Sequence, residues 1–263
     1  MKATDIINQI KENKKNIEFL PTGFKKLDEF MDGGFMRKEL IVIGGYTGVG
    51  KSFIASAIFY NIARGGFSSA YISLEISNAM VVSRIVGAIS NIKPTRLIAG
   101  LLEKEDYERR LEAEAEVGAY DEFMNFEDEL YAFEKIKTYI LENQLDFVIV
   151  DFIQNIISPQ SDEYSRLSFL AVEFQRMAKE TNSCIVLLSQ LSNAAAKGGL
   201  MEYKGSGSIQ TVCDLGFFIE RTVVEEYSQN NLFKLILRKN RRGISGKEFE
   251  FVFKQPGGKI YES

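Results

Sequence analysis

Short, nearly continuous apolar runs alternate along most of this chain with stretches of helical periodicity. The runs at 39–45 (ELIVIGG), 69–74, 146–151 (DFVIVD) and 183–190 (SCIVLLSQ) each end in, or are followed by, glycine or a polar residue. Runs of this kind are expected for strands buried on both faces, as in a parallel sheet. Between them the spacing predicts helices over 50–64, 77–91 and 128–143. Leu167, Leu170, Ala171, Phe174, Met177 and Ala178, at i, i+3, i+4 and i+7 spacing, place another before the last run. A polar, mostly helical stretch covers 94–118, with a short strand expected at 123–126.

Ahead of the first strand, Ile6, Ile7 and Ile10 mark a short amphipathic helix over 4–15, and Thr22 is placed to cap a second helix carrying Leu27, Phe30 and Met31. Beyond 191–208, a loop rich in glycine, alanine and lysine, the pattern changes to strands at 214–221, 231–239 and 247–253. Strands alternating with crossover helices imply an α/β fold, a doubly wound, mostly parallel sheet, and the last strands imply an antiparallel or mixed edge. The expected organisation is an N-terminal helix and arm over 1–20 and one large domain over 21–263.

Composition narrows the chemistry. The 263 residues are 45% apolar and 26% charged, which excludes disordered, collagen-like and disulfide-scaffold classes. Histidine is absent, removing His-based triads, His-ligated zinc and imidazole general bases together. Cys184 and Cys213 lie far apart in apolar runs and read as reduced core thiols. No apolar run approaches the roughly 18 residues of a membrane span, and the N-terminus has no secretory core, so a soluble cytoplasmic protein is expected. A net charge of −4 argues against bulk electrostatic coating of nucleic acid. The charge is uneven, however: 103–129 is an acidic, solvated face, whereas 234–247 gathers Lys234, Arg238, Lys239, Arg241, Arg242 and Lys247.

Gly45-Tyr46-Thr47-Gly48-Val49-Gly50-Lys51-Ser52 matches G-x-x-x-x-G-K-[ST] between a buried strand and a helix. Successive backbone N–H groups can cradle phosphates there, at a helix N-terminus. Gly45, Thr47, Gly48, Val49, Gly50, Lys51, Ser52 and Phe53 are therefore the candidate nucleotide-binding residues. Lys51 is expected to reach the β- and γ-phosphates and the Ser52 hydroxyl to ligate Mg²⁺, so ATP and Mg²⁺ are the implied cofactors. Asp151, ending an apolar strand expected beside the P-loop strand, completes the Mg²⁺ shell as a Walker B carboxylate. Glu75, at the end of the strand one crossover after the P-loop helix, is the candidate base for the attacking water; its alternative is a helix-terminal acid. Gln190, at the end of the strand after that of Asp151, is placed to sense the γ-phosphate.

One ordered set of segments carries a resemblance: Ser73-Leu74-Glu75, Asp151-Phe152-Ile153-Gln154, Leu188-Ser189-Gln190-Leu191, Gly205-Ser206-Gly207-Ser208-Ile209 and Lys239-Asn240-Arg241-Arg242-Gly243. The set closely resembles the C-terminal motor domain of replicative DNA helicases of the DnaB family, a RecA-like P-loop NTPase fold, from about Thr22 to the C-terminus. The resemblance implies that Lys51, Ser52, Glu75, Asp151 and Gln190 are nucleotide-site positions. It also implies that Lys239 and Arg241 reach into a neighbouring subunit's ATP site, with Arg242 adjacent but off the pattern. A finger supplied in trans stabilises charge developing on the γ-phosphate.

By the same resemblance Lys204, Gly205, Ser206 and Gly207 form a DNA-binding loop facing the channel of a homo-oligomeric ring, hexameric in the family's manner. Lys204 takes a position the family usually gives to arginine, and Gly205 replaces an acidic residue. Lys197 is a second candidate, and both lysines have the alternative of being solvated loop residues. The family also carries a helical collar that recruits primase. This sequence is expected to lack it, keeping only the isoleucine helix in the place of a linker helix, with a primase or loader as further partner. The single motor domain suggests a phage or mobile-element source. The expected activity is that of an ATP-hydrolysing helicase translocating on single-stranded DNA. The alternatives are a recombinase or mediator ATPase that does not unwind, or a nucleotide-switched assembly protein of the clock type.

Overall fold

Side chains of the central strands alternate between two apolar layers. Ile41, Ile43, Tyr71, Ile149, Val186 and Leu188 enter one, and Leu40, Val42, Ile72, Val148, Val150 and Leu187 enter the other; all are buried. Strands apolar on both faces need helices on both sides. The structure, a computed structural model, describes residues 2–13, 18–191, 207–222 and 230–263.

A small antiparallel pair, β1 (Phe19–Leu20) and β2 (Phe35–Met36), precedes a nine-stranded sheet. In that sheet β3 (Leu40–Gly45), β4 (Ser69–Ser73), β5 (Met124–Glu127), β6 (Phe147–Asp151), β7 (Cys184–Gln190) and β8 (Leu215–Thr222) run parallel, in the order β8-β3-β7-β6-β4-β5. Strands β9 (Asn230–Asn240), β10 (Glu248–Lys254) and β11 (Lys259–Glu262) extend the β8 edge with antiparallel pairing. After α1 (Ala3–Asn13) and α2 (Lys25–Phe30), helices α3 (Lys51–Arg64), α4 (Asn78–Ser90), α5 (Pro94–Ala99) and α6 (Lys104–Gly118) lie on the Ile41 side. The Leu40 side is covered by α7 (Phe133–Glu142), α8 (Glu163–Thr181) and a short helix, Gly207–Val212. Among the described residues no helix is long and apolar enough to cross a membrane. Cys184 and Cys213 are free and buried, and burial pushes the Cys213 thiol up to about 11.

The periodicity placed most strands and helices with ends within a residue or two, and the departures have local causes. The helix expected over 128–143 begins only at Phe133. The preceding residues are engaged elsewhere: the Asp128 carboxylate accepts from the Asn78 N–H (2.8 Å) at the start of α4, and the Tyr131 carbonyl accepts from the Ile157 N–H (2.8 Å). The polar stretch 94–118 splits into α5 and α6 at Gly100. Thr22 does not cap α2. The Lys26 and Leu27 N–H groups donate to the Glu262 carboxylate at 2.9 and 3.0 Å, from the far end of the chain, while Asp28 gathers the Thr22 and Gly23 N–H groups and the Thr22 hydroxyl. A local Ser/Thr cap is replaced by a carboxylate that tertiary folding delivers to the positive helix end. Strand β11 has no predicted counterpart. It follows a turn that presses on α4 so closely that a Cβ on Gly257 would lie 2.1 Å from the Gly87 carbonyl oxygen. Ile6 and Ile7 of α1 are exposed, and the Ile10 side chain lies outside the described part of the chain.

Arg242 ties the β9–β10 turn to the segment leading into β3. Its guanidinium grips the Glu39 carboxylate bidentately and donates to the carbonyls of Met31 (3.0 Å) and Gly34 (2.9 Å), with the two side chains only 17% and 12% exposed. Arg242→Ala should cost about 3 kcal/mol, because it strands a largely buried carboxylate. Arg241→Ala breaks a more exposed pair and should cost under about 1 kcal/mol. Urea unfolding midpoints check the contrast; equal shifts would show that the Arg242 clamp is not structural.

Candidate nucleotide site

The P-loop follows β3 as a tight turn into α3. Gly50, immediately before α3, has φ of 108°, a left-handed conformation that a residue with a Cβ rarely adopts. The Phe53 and Ile54 N–H groups both donate to the Gly50 carbonyl at 3.1 Å, which starts the helix. Lys51 is buried and folds back, its ammonium donating to the carbonyls of Gly45 (2.8 Å) and Tyr46 (2.9 Å). Burial pushes the Lys51 ammonium towards releasing its proton, and the carboxylates of Asp151 and Glu75 oppose that. An anionic phosphate would oppose it further.

A cavity of about 190 Å³ opens over this turn. Thr47, Gly48, Gly50, Lys51, Ser52 and Phe53 line one wall, and Glu75, Ile76, Arg84, Phe152 and Gln190 line the rest. The expected residues converge because parallel strands end on one edge: Gln190 pairs in register with Gly45, and Ser73, two residues before Glu75, pairs with Asp151. Glu75 is exposed and precedes the Ser77 N-cap of α4, so it is not within the helix. The strand order corrects one expectation. The Asp151 strand β6 does not lie beside the P-loop strand β3, because β7 is inserted between them. Gln190, not Asp151, is thus the immediate neighbour of the P-loop strand, and the Asp151 carboxylate approaches from one strand further away.

Asp151 is buried. Its Oδ2 accepts from the Tyr71 hydroxyl at 2.8 Å, whereas its Oδ1 is buried with no hydrogen-bond partner among the described residues. Burial and the neighbouring Asp151 charge hold the Tyr71 phenol protonated, well above its ordinary range, so it stays a donor. A buried carboxylate oxygen without a donor is costly unless a cation completes it. Ser52, at the start of α3, lines the cavity, and its hydroxyl and the Asp151 carboxylate are oxygens of the kind that would suit Mg²⁺, which keeps several waters and takes other ligands from phosphates. The turn after β6 braces the site: the Gln154 amide donates to Ser189 Oγ (2.9 Å) and accepts from the Gln190 N–H (3.3 Å), and the Asn155 amide donates to the Leu74 carbonyl (2.8 Å).

Lys239 and Arg241 lie at the opposite edge. Asn240 pairs with Leu215 at the start of β8, and Leu40, at the start of β3, exchanges hydrogen bonds with Asp214 (2.8 and 2.9 Å). The P-loop follows the other end of β3, roughly 17 Å away at about 3.3 Å per residue. Arg241 leaves the end of β9 as expected, but its side chain turns back to Asp214 (2.9 Å) and the Thr211 carbonyl (3.1 Å). The Lys239 ammonium donates to the Gln210 (2.6 Å) and Thr211 carbonyls. Both cations thus cap the carboxyl end of the helix that Gly207 begins. Lys197, Lys204, Gly205 and Ser206 lie outside the described residues.

Sequence reasoning gave no role to Tyr71, Asn155, Asp214 and Arg84, and took Gln154 only as part of a motif segment. Tyr71 and Asp214 carry no signal of their own, since only folding brings them to their partners. Arg84 did leave a signal, as the only charged residue in an otherwise uncharged helix, NAMVVSRIVGAIS.

A family model described as the DnaB-like helicase C-terminal domain matches residues 20–260. The chain is 30% identical over 261 residues to a replicative DNA helicase DnaB of Treponema pallidum (strain Nichols), covering 94% of this chain and 58% of that protein. It is 28% identical over 256 residues to a replicative DNA helicase DnaC of Bacillus subtilis (strain 168), covering 92% and 56%. The chain thus spans a little over half the length of these curated relatives. Among solved structures, a DnaB-like replicative helicase, described with its interactions with primase, superposes with a TM-score of 0.85 at 20% identity, covering 99% of this chain and 67% of that one. The matched span, the P-loop cavity and the RecA-like sheet agree, and the chain belongs to the family of DnaB-like helicase C-terminal domains.

Proposed function

We propose that this chain is an ATP-driven DNA helicase motor of the replicative type, which hydrolyses ATP at sites shared between the subunits of a hexameric ring and moves along single-stranded DNA. One observation carries the reading: the cavity holding Lys51, Ser52, Glu75 and Gln190 lies at one edge of the sheet, while Lys239 and Arg241 lie at the other. These cations cannot serve their own cavity, so a complete site needs a second subunit. In this reading residues 21–263 are the motor and 1–20 a linker-like helix and arm.

Lys51 holds the β- and γ-phosphates, and Ser52 and Asp151 hold Mg²⁺, which when bound neutralises phosphate charge. Glu75 takes a proton from the water that attacks the γ-phosphorus; the bond to the β–γ bridging oxygen breaks, and ADP leaves with that electron pair. Gln190 lies in register with the P-loop strand and donates towards the γ-phosphate. Lys239 and Arg241 of an adjacent subunit stabilise the charge spreading over the transferred group. The glycine-rich segment with Lys204, and Lys197 before it, contacts DNA phosphates. A primase or loader is the protein partner this reading entails, and the site of action is the cytoplasm. The ordered family motifs favour it over a recombinase or mediator.

Three results test this. Single-stranded DNA should stimulate ATP hydrolysis, and a forked duplex should be unwound; stimulation without unwinding would shift the assignment to the recombinase class. Glu75→Gln should bind a non-hydrolysable ATP analogue normally yet lose at least roughly 10²-fold in turnover, the scale of a lost general base. A near wild-type rate would make Glu75 only a charged neighbour of α4. Finally, Arg241→Ala and Lys51→Ala subunits, each nearly inactive, should regain activity when mixed, because the first supplies an intact P-loop and the second an intact finger. The gain should be large, since such a finger contributes on the order of 10³-fold or more. A mixture that stays inactive despite demonstrated subunit exchange overturns the trans role of Arg241.

A further inference from the structure

Asp214 is a carboxylate to which the fold and the reactions above give no chemical task. It stands immediately before β8, at the amino end of a parallel strand, so the cavity at the carboxyl ends lies a strand's length away. Each of its polar groups is fixed. Its N–H donates to the Leu40 carbonyl (2.8 Å), its carbonyl accepts from the Arg241 N–H (3.0 Å), and its Oδ2 accepts from the Leu40 N–H (2.9 Å). Leu40 is fully buried and begins the P-loop strand β3, in the interior of the sheet. The Asp214 side chain is only 14% exposed, and its second oxygen, Oδ1, accepts from Arg241 Nη1 at 2.9 Å.

Arg241 gives this anchorage a purpose. A guanidinium carries five N–H donors in one plane. Nη1 on Asp214 and Nη2 on the Thr211 carbonyl (3.1 Å) set the direction of that plane, while Nε makes no hydrogen bond among the described residues. The Arg241 side chain is still 45% exposed. The adjacent Arg242 is instead closed off by Glu39 and two carbonyls. Arg241 is thus oriented without being enclosed, with donors left for an anion. An unheld arginine on a turn samples many rotamers and would lose that freedom each time it met a phosphate. A pair of two mobile exposed side chains holds too weakly to prevent this, whereas a carboxylate anchored on a central strand is already in place. We propose that Asp214 is the positioning residue of the trans finger: it aims the Arg241 guanidinium at the neighbouring subunit's γ-phosphate, and so acts on the neighbour's site and not on its own. This rests on the trans reading of Arg241 above.

The test is steady-state ATP hydrolysis by the full chain, alone and in mixtures of variants with demonstrated subunit exchange. Asp214→Asn keeps an acceptor for the Leu40 N–H and removes the charge that holds Arg241. It should lower kcat at least roughly tenfold, the scale of one charge-assisted hydrogen bond, and change KM by under about threefold. Asp214→Glu, which keeps the charge but displaces it, should lose less; it carries the same comparisons if Asp214→Asn proves unfolded by circular dichroism. Mixtures then locate the defect. Asp214→Asn with Lys51→Ala should exceed the mean of the two parents, because the first supplies a P-loop and the second a held finger. Asp214→Asn with Arg241→Ala should not exceed that mean, since neither supplies one. Rescue in the second mixture, or none in the first, would place the defect in Asp214's own subunit. A near wild-type kcat for Asp214→Asn would show that Arg241 works without this hold. Any of these overturns the proposal. Failure of Arg241→Ala and Lys51→Ala to restore each other would instead overturn the trans reading itself.

Discussion

Six strands running in one direction place their carboxyl ends, and the residues just beyond them, along a single edge of the sheet, and this polarity governs the rest of the molecule. The P-loop, Glu75, Asp151 and Gln190 come from four such strands, β3, β4, β6 and β7. They meet without any sequence proximity because a parallel strand followed by a crossover helix always returns its next carboxyl end to the same side. Strand β9 breaks the rule. Running antiparallel to β8, it carries Lys239 and Arg241 to the far edge.

Around the cavity, polar groups are held by polar side chains that do not line it. Tyr71 fixes one oxygen of Asp151, Gln154 engages Ser189 and Gln190, and Asn155 fixes the carbonyl next to Glu75. Three strand ends are thus joined by the turn after β6. Such bracing preorganises charged groups, so that little reorganisation is needed when a ligand arrives. Two buried polar atoms have no hydrogen-bond partner among the described residues here: Asp151 Oδ1, adjacent in the chain to the wall residue Phe152, and Arg84 Nη1.

At the far edge, Lys239 and Arg241 hold the last carbonyls of the helix Gly207–Val212, whose first residue belongs to the glycine-rich segment GSGS. The neighbouring Arg242 has a different task, clamping Glu39 and two carbonyls of the segment before β3. Two adjacent arginines with the same intrinsic chemistry are separated by which way the chain turns after Asn240.

By itself the amino-acid sequence determined the layered α/β fold, the positions of nearly all long elements and most of the polar residues that line the cavity. The reason is that these are local signals: apolar period, a glycine-rich turn between strand and helix, and polar residues at the ends of apolar runs. Tertiary structure alone decided the strand order that inserts β7 between β3 and β6, the Glu262 cap on α2, the β11 strand and the partners Tyr71 and Asp214. Each of these depends on which surfaces meet across long stretches of chain, and no window of sequence records that. Arg84 stands between the two cases. Its isolation in an apolar helix was legible, but its unpaired buried nitrogen emerged only once Phe53 and the P-loop had been packed against it.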